Sequence, residues 1–226
     1  MFVGVIGGRY KSLSFNGATQ TLSMADSDFG VYDLDLFSVS LWFRPNQIIS
    51  TQGLYCKSDG ATNRSFEITA GANISVNTYH GADANTVIGN TSLVAGSWYH
   101  ILVHVDPTNA TPADRLKFWI NGSAETYSST DYSANSSTND TSVAIVIGGL
   151  NASSQRFDGL IYQPAFFSNV LVPIGDVYNA GVIRDITGVS GLYSLINTTG
   201  SNIVDDYLLA TDWTNNNTVT ISNKTP

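Results

Sequence analysis

The chain has 226 residues, of which 42% are hydrophobic and 12% are charged, and its formal net charge is −8. It carries only 10 Lys and Arg residues and shows no basic patch, so nucleic acid is not an expected partner. No apolar stretch approaches the roughly 18 residues of a membrane span, so no membrane insertion is expected. The single Cys56 excludes an internal disulfide framework, and we expect it to be a buried strand residue.

The first ninety residues predict a series of short strands. Turn-forming Gly, Asn and Asp residues lie between them, and Asn16-Gly17 joins the first two. An Asp-rich loop is predicted over residues 26–35. The predicted strands lie at 11–15, 21–24, 37–44, 53–57, 65–69, 73–79 and 86–89.

Two central segments, 98–106 (WYHILVHVD) and 115–121, show the clearest alternation. In a half-buried strand, side chains alternate between the two faces with a period of two, and both segments follow that pattern. Asn121-Gly122 then supplies the dipeptide that a tight hairpin turn requires, because both residues tolerate positive φ. The two segments therefore predict antiparallel β structure.

The second half of the chain predicts a long loop, more strands and one helix. Residues 128–141 are rich in Ser, Thr and Asn and predict the loop. The helix is predicted near 173–180, because Pro173 fits a first helical turn and Gly181 fits a C-terminal stop. Further strands are predicted at 143–147 and 156–167, and the tail carries scattered short apolar runs at 192–196, 207–209 and 219–221.

More than ten short strands with almost no helix predict an all-β fold, a sandwich of two antiparallel sheets. We find no clean linker, so residues 1–226 are interpreted as one domain. Period-two alternation assigns the inward-facing side chains. They are Val39, Leu41, Phe43, Ile101, Val103, Val105, Phe118, Ile120, Ile145 and Ile147.

An ordered set of segments resembles the laminin-G-like, concanavalin A-like lectin/glucanase superfamily. The resemblance covers residues 11–181 and implies a jelly-roll of two antiparallel sheets, with 182–226 as an extension packed on it. The final segment, WTNNNTVTISNKTP, resembles extensions on superfamily members in phage and other viral proteins. The segments that carry the resemblance are 13–24, 37–45, 98–106, 116–122, 147–171 and 177–181.

The resemblance does not imply catalysis here. Glucanases of the superfamily typically carry Glu-x-Asp-x-x-Glu on one strand, whereas neither Glu67 nor Glu125 is followed by that pattern. An Asp–Asp pair is the alternative. His100 and His104 lie four residues apart on one strand, about 13 Å along it, which is too far for a shared metal ion. We therefore predict that the chain is not an enzyme.

Four aromatic residues fall on polar-face positions and are candidates for stacking on sugar rings: Trp42, Tyr79, Trp119 and Tyr127. The alternative is that these rings cover the outer side of a sheet or pack beneath a loop.

Calcium is the candidate cofactor, because laminin-G-like and pentraxin-like relatives often bind it at one rim of the sandwich. Its ligands there are oxygen atoms, and the corresponding candidates here are Asp59, Asp106 and Asp158. Asp-Gly at 59–60 and at 158–159 is also ordinary turn chemistry, which is the alternative interpretation.

Two roles fit these observations. We expect a non-enzymatic surface or structural protein of a virion, such as a head-decoration, fibre or tail-associated subunit, which contacts other virion proteins or its own copies and binds host-surface glycans. The absence of a signal peptide and of disulfides, together with the virus-like tail, favours this role. The alternative is a calcium-dependent carbohydrate-binding or adhesion module of a cellular extracellular protein. The expected location is therefore the virion surface or the extracellular space.

Overall fold

The computed structural model describes residues 11–29, 35–199, 202–207, 213–222, 224 and 226. These residues include two one-turn helices, α1 (Asp26–Phe29) and α2 (Ile174–Val177), and a short 3-10 helix (Pro112–Asp114). The strands are β1 (Ser12–Asn16), β2 (Thr21–Met24), β3 (Phe37–Pro45), β4 (Gln52–Ser58), β5 (Arg64–Ala70), β6 (Ile74–His80), β7 (Asp83–Gly89), β8 (Tyr99–Val105), β9 (Leu116–Ile120), β10 (Ser123–Ala124), β11 (Tyr127–Tyr132), β12 (Ile145–Ile147), β13 (Asp158–Ser168), β14 (Leu192–Thr199), β15 (Asn202–Tyr207), β16 (Thr214–Asn216) and β17 (Thr220–Ser222).

The described strands form two antiparallel sheets. The first sheet has the order β10-β9-β8-β3-β13-β1-β17, and β14 also pairs with β13 and with β15. The second sheet has the order β11-β7-β6-β5-β4-β12-β2-β16. The two sheets pack face to face around one large apolar core, so the predicted all-β jelly-roll sandwich is confirmed.

The core lies between the inner faces of the two sheets. All ten side chains that alternation assigned to the interior are buried in it. Aromatic rings fill its centre: the Phe37 ring centre lies 5.2 Å from that of Phe66, on the opposite sheet, and 5.2 Å from that of Phe166. The predicted burial of Cys56 is also confirmed. The period-two pattern therefore identified the core directly.

The Asn121-Gly122 turn joins β9 to β10. Asn121 has φ 49° and Gly122 has φ 82°, as a two-residue hairpin turn requires. A Cβ atom on Gly122 would lie 2.5 Å from the ring of Tyr178, so the glycine also makes room for that aromatic side chain. The predicted turn is confirmed. Position 122 requires glycine both for its positive φ and for the close approach of Tyr178.

Three local predictions differ from the structure. Part of the predicted 128–141 loop is strand β11, which pairs with β7; an exposed edge strand needs no alternating apolar residues. The helix near 173–180 is shorter than predicted, because Tyr178 is extended (φ −131°, ψ 135°). The Asp-rich loop begins with α1, while residues 30–34 lie outside the described part of the chain.

Strands from the end of the chain pair with both sheets. In the first sheet, β14 pairs with β13 and β17 pairs with β1; in the second, β16 pairs with β2. Of the apolar run at 207–209, residues 208 and 209 lie outside the described residues. These pairings place the C-terminal segment against the sandwich.

Candidate functional site

The outer face of the first sheet is covered by the segment 169–191, called the covering segment below. The hydroxyl of Ser38 donates to the backbone oxygen of Val170 (2.8 Å) and accepts from the N–H of Val172 (3.1 Å). A second apolar cluster lies beneath the segment and consists of Leu102, Ala165, Phe167, Val172, Val177, Ile186, Leu192 and Leu195. The covering segment and the outward side chains of the first sheet therefore form a second apolar core.

Two of the four candidate glycan-binding aromatics lie on this covered face. Trp42 is only 4% exposed, and its ring centre lies 5.6 Å from that of Tyr178. Trp119 is half-buried, packs against the second cluster and lies 4.4 Å from the ring of His104. The ring of Trp42 is thus enclosed by the protein. The ring of Trp119 is partly covered by His104 and by the second cluster.

Both histidines of β8 contribute to this packing. His100 is 1% exposed, its Nε2 lies 2.9 Å from the hydroxyl of Ser40, and desolvation lowers its pKa to about 3. The Nε2 of His104 lies 2.7 Å from the carbonyl oxygen of Val172, and burial lowers the pKa of His104 as well. Both rings are therefore neutral at physiological pH.

The outer face of the second sheet, in contrast, holds an open polar groove of about 490 Å³. On β5 and β6, apolar residues point into the core, and the residues between them point outward. These outward side chains form the floor of the groove. The full set of lining residues is Thr51, Gly60, Arg64, Glu67, Thr69, Gly71, Ala72, Asn73, Ser75, Asn77, Ile88, Leu150 and Gln155.

One wall of the groove is the loop that connects β12 to β13. Where this loop crosses β4, a Cβ atom on Gly53 would lie 2.1 Å from the carbonyl carbon of Gly149, so only a glycine allows the approach. The backbone N–H of Gly53 donates to the backbone oxygen of Gln155 (2.8 Å), and the Asn151 side-chain amide donates to the backbone oxygen of Asp59 (2.8 Å). The wall is therefore fixed near both of its ends.

A charged cluster lies in the floor of the groove. Glu67 is 7% exposed, and its carboxylate accepts hydrogen bonds from the hydroxyls of Ser58 (2.7 Å) and Tyr79 (2.8 Å). The guanidinium carbon of Arg64 lies 4.1 Å from the centre of the Tyr79 ring. Burial, followed by the hydrogen bond to Glu67, raises the pKa of Tyr79, so its hydroxyl stays protonated and donates.

Of the four candidate aromatics, Tyr79 is therefore the one that adjoins the groove. Tyr127 lies on β11, where its hydroxyl accepts the backbone N–H of Phe118 (3.0 Å) and its ring packs on the Phe118 ring. Burial raises the pKa of Tyr127 to about 12. Glycan contact by the four rings remains a prediction, and the structure does not bring them together at one site.

The three candidate calcium ligands are also separated. Asp106 follows β8 and Asp158 begins β13, and the pairing of both strands with β3 places the two carboxylates at opposite ends of it, about 25 Å apart. Asp59 directly follows β4 of the second sheet. Among the described residues, no group of three or more His, Cys, Asp or Glu side chains could hold a metal ion.

Each of these aspartates already accepts hydrogen bonds within the protein. The carboxylate of Asp59 accepts from the backbone N–H of Ala61 (2.8 Å) and from Asn63, and these bonds lower its pKa. Asp106 accepts from the side-chain amide of Asn109 (2.8 Å), whereas Asp158 accepts from those of Asn46 and Gln47, which are distant in sequence. Asp59 and Asp106 thus stabilise local turns, Asp158 makes a tertiary contact, and calcium binding by the three remains a prediction.

None of the residues that line the groove was a predicted site residue, although Tyr79 adjoins it. The useful signal was present on β5 and β6, where polar side chains alternate with buried apolar ones over two adjacent strands. That alternation places Glu67, Thr69, Ser75 and Asn77 on one outward face. What the sequence does not show is the loop from β12 to β13, which turns this face into a groove.

A model of the concanavalin A-like lectin/glucanase superfamily, of the laminin G type, matches residues 16–173. The chain therefore belongs to this superfamily. A comparison of the sequence with curated proteins finds no match. Among the described residues, no helix has the length and apolar character needed to cross a membrane.

Several solved structures share the fold. A candidate carbohydrate binding protein from Bacteroides ovatus superposes with a TM-score of 0.67 at 14% identity, over 95% of this chain and 60% of its own. The heptameric SAP-like pentraxin of Limulus polyphemus gives 0.58 at 13% identity, over 90% and 98%. Domain 4 of the arabinanase AbnA from Geobacillus stearothermophilus, solved with arabinotriose, gives 0.53 at 21%, over 78% and 79%. At these identities the likeness shows the fold alone.

Proposed function

We propose that this domain is a non-catalytic carbohydrate-binding module that holds a glycan in the groove on the outer face of the second sheet. The observation that carries the proposal is the contrast between the two outer faces. One is filled by apolar packing, and the other is an open groove lined by hydroxyl, amide and charged side chains. Several structural neighbours are carbohydrate-binding by name, which agrees with this assignment.

The groove offers what a sugar needs. Sugar hydroxyls both donate and accept hydrogen bonds, and Thr69, Asn73, Asn77 and the other polar groups of the floor and rim can match them. Ile88 supplies an apolar contact for the C–H faces of a sugar ring. The wall loop is fixed by backbone contacts, so little chain ordering is needed on binding.

Binding without catalysis is the better chemical fit. Hydrolysis of glycosides usually employs two carboxylic acids placed on either side of the bond. Of the described residues that line the groove, Glu67 is the one carboxylate, and both of its oxygens accept hydrogen bonds from neighbouring hydroxyls. The raised pKa of Tyr79 makes its phenol a poor nucleophile.

A blocking substitution tests the proposal. Ser75 lies half-buried in the floor, so Ser75→Tyr fills the groove, whereas Ser123→Tyr adds the same side chain to exposed strand β10 of the first sheet, away from the groove. We expect wild type and Ser123→Tyr to bind a common set of glycans on an array, and Ser75→Tyr to lose them by at least about 10-fold in affinity, which is about 1.4 kcal/mol. Binding that Ser75→Tyr leaves unchanged would contradict the groove as the site.

A structural subunit of a virion surface is the second candidate, and one observation favours it. Among the described strands, β11 forms an edge of the second sheet, pairs with β7 alone and is exposed over most of its length. Such an edge can pair with the edge of another copy or of a neighbouring protein. Sedimentation with and without calcium, together with mass spectrometry of purified particles, tests this role. A calcium-dependent monomer that is absent from particles would favour an extracellular binding module instead.

A further inference from the structure

The charge of the groove is uneven. Of its described lining residues, only Arg64 and Glu67 are charged. Glu67 is 7% exposed and is engaged by Ser58 and Tyr79. The ion pairs among the described residues involve Lys57 and Lys117, so Arg64 has no described carboxylate within ion-pair distance. The groove therefore presents one cation that forms no ion pair with any of the described residues.

This cation is held in place. Arg64 begins β5 at the end of the groove beside the 59–63 turn, and its guanidinium stacks on the Tyr79 ring at 4.1 Å. Stacking restricts the side chain to few rotamers while leaving N–H groups at the edge of the planar guanidinium. Those N–H groups match the two oxygens of a carboxylate or sulfate. Arg64 is thus preorganised for an anionic group that enters the groove.

We propose that Arg64 makes acidic glycans the preferred ligands of this groove. The acid group, whether a sugar carboxylate or a sulfate ester, binds the Arg64 guanidinium at the 59–63 end, and the hydroxyls of the same glycan extend along β5 and β6 over the polar floor. The inference rests on the proposed function, since it names the ligand class of the same site.

The acidic surface of the protein does not prevent this contact. The net charge of −8 repels anions at long range, but salt screens that repulsion beyond about 8 Å at physiological ionic strength. The half-buried Arg64 acts at contact distance, where screening is weaker. The preference for acidic glycans is therefore expected at physiological salt, where the long-range repulsion is largely screened.

The experiment is calorimetric titration with matched pairs of oligosaccharides: trigalacturonate and its methyl ester, 3′-sialyllactose and lactose, and a sulfated carrageenan tetrasaccharide and its desulfated form. The three pairs distinguish uronic, sialic and sulfated sources of the acid group. We expect wild type to bind the acidic member of at least one pair about 10- to 100-fold more tightly, the effect of a charged two-point hydrogen bond.

Two substitutions with the same change of charge locate the effect. Arg64→Met removes the guanidinium and keeps an apolar stem over Tyr79, so we expect the preference to disappear while binding of the neutral member remains. Lys117→Met removes a cation that pairs with Asp114 on the first sheet, away from the groove, and is expected to keep the preference. Circular dichroism and thermal melting check that both variants fold.

A second measurement needs no variant. In ¹⁵N-labelled wild type, the Nε–H signal of Arg64 should shift on titration with the acidic member of a pair and stay in place with the neutral one. Equal affinity for both members, or a preference that Arg64→Met keeps, would overturn the acidic-ligand inference and leave glycan binding in the groove standing. Absence of binding by any of the six oligosaccharides and by a general glycan array would overturn the proposed function itself.

Discussion

The outer faces of the two sheets start from the same backbone pattern and end with opposite roles. On the first sheet, outward side chains such as Trp42 and His100 are buried under the covering segment. On the second sheet, outward side chains such as Glu67 and Asn77 form the floor of an open groove. The strands alone do not explain the difference. The covering segment packs over the first sheet, whereas the β12–β13 loop forms only one wall beside the outer face of the second.

The comparison shows how to interpret an aromatic residue at an outward position. Trp42 and Tyr79 both alternate with core residues, yet Trp42 is enclosed and Tyr79 supports a groove. A covered ring contributes packing free energy, whereas a ring on the open face contributes hydrogen bonding and stacking. Substitutions on the two faces and a change of pH test this contrast.

Removal of a covered ring should destabilise the fold most. Trp42→Ala leaves a cavity beneath Tyr178, and we expect a loss of about 3–5 kcal/mol in the free energy of unfolding. Urea denaturation measures it. Ser75→Ala, on the open face, is the matched control and should change stability by less than about 0.5 kcal/mol. Similar losses in both variants would remove the distinction between a covered and an open face.

Acid should destabilise the covered face through its histidines. The folded-state pKa of His100 is about 3, and the unfolded value is 6.5, so between these values the unfolded chain binds the extra proton. Stability is therefore full above pH 6.5 and falls as pH decreases. His100 alone should account for a loss of about 2 kcal/mol at pH 5. His104 acts in the same direction, since burial and the nearby Lys117 lower its pKa.

Chemical denaturation between pH 7.5 and pH 5 measures this effect before most carboxylates titrate. His100→Gln keeps a hydrogen-bonding group near Ser40 but cannot take up the proton, so its loss of stability over this range should be smaller by about 2 kcal/mol. An unchanged pH dependence in the variant would show that His100 is not the responsible group.

A methyl group at the crossing of β4 and the wall loop should distort the groove. Gly53→Ala places a Cβ atom 2.1 Å from Gly149, so the loop must move, at a cost of about 1–3 kcal/mol and with weaker glycan binding. Gly175→Ala is the control on the covering segment. It meets no atom within 4 Å, lies in α2 and should be neutral or slightly stabilising. Thermal melting of both variants tests the pair.

Loss of a single hydroxyl on the open face should have the smallest effect. Tyr79→Phe removes the hydrogen bond to Glu67 and keeps the ring under Arg64, so we expect a loss of about 1 kcal/mol in unfolding free energy. A double-mutant cycle with Glu67→Gln isolates the interaction. A coupling free energy near zero would mean that the two side chains do not support each other in the folded state.

Much of the fold could be predicted from local patterns. Alternation in β3, β8 and β9 assigned core side chains that are all buried, and Asn121-Gly122 predicted the hairpin turn that is observed. These predictions succeed because the side-chain period of a strand is fixed by backbone geometry. Strand β11 was not predicted because an exposed edge strand leaves no apolar alternation in the sequence.

The candidate site could be predicted only in fragments. Tyr79 was a predicted site residue, but its partners Glu67 and Arg64 are 12 and 15 residues away in sequence and meet it only because β5 and β6 pair. Asp59 was predicted as a metal ligand, and in the structure its backbone oxygen holds the wall loop through Asn151. Such roles depend on contacts between residues up to about ninety positions apart in the chain.

Short-range periodicity and turn chemistry predict an antiparallel sandwich and identify the side chains that enter its core. The superfamily is indicated separately, by the resemblance of an ordered set of segments, and is shown by the family match over residues 16–173. Which outer face is open depends on tertiary contacts. The covering segment packs on one sheet through its apolar residues, and the β12–β13 loop closes one side of the other sheet. Both are contacts between segments that are distant in sequence. Alternation in a strand assigns each side chain to a face of the sheet, but it does not show which other segment packs on that face.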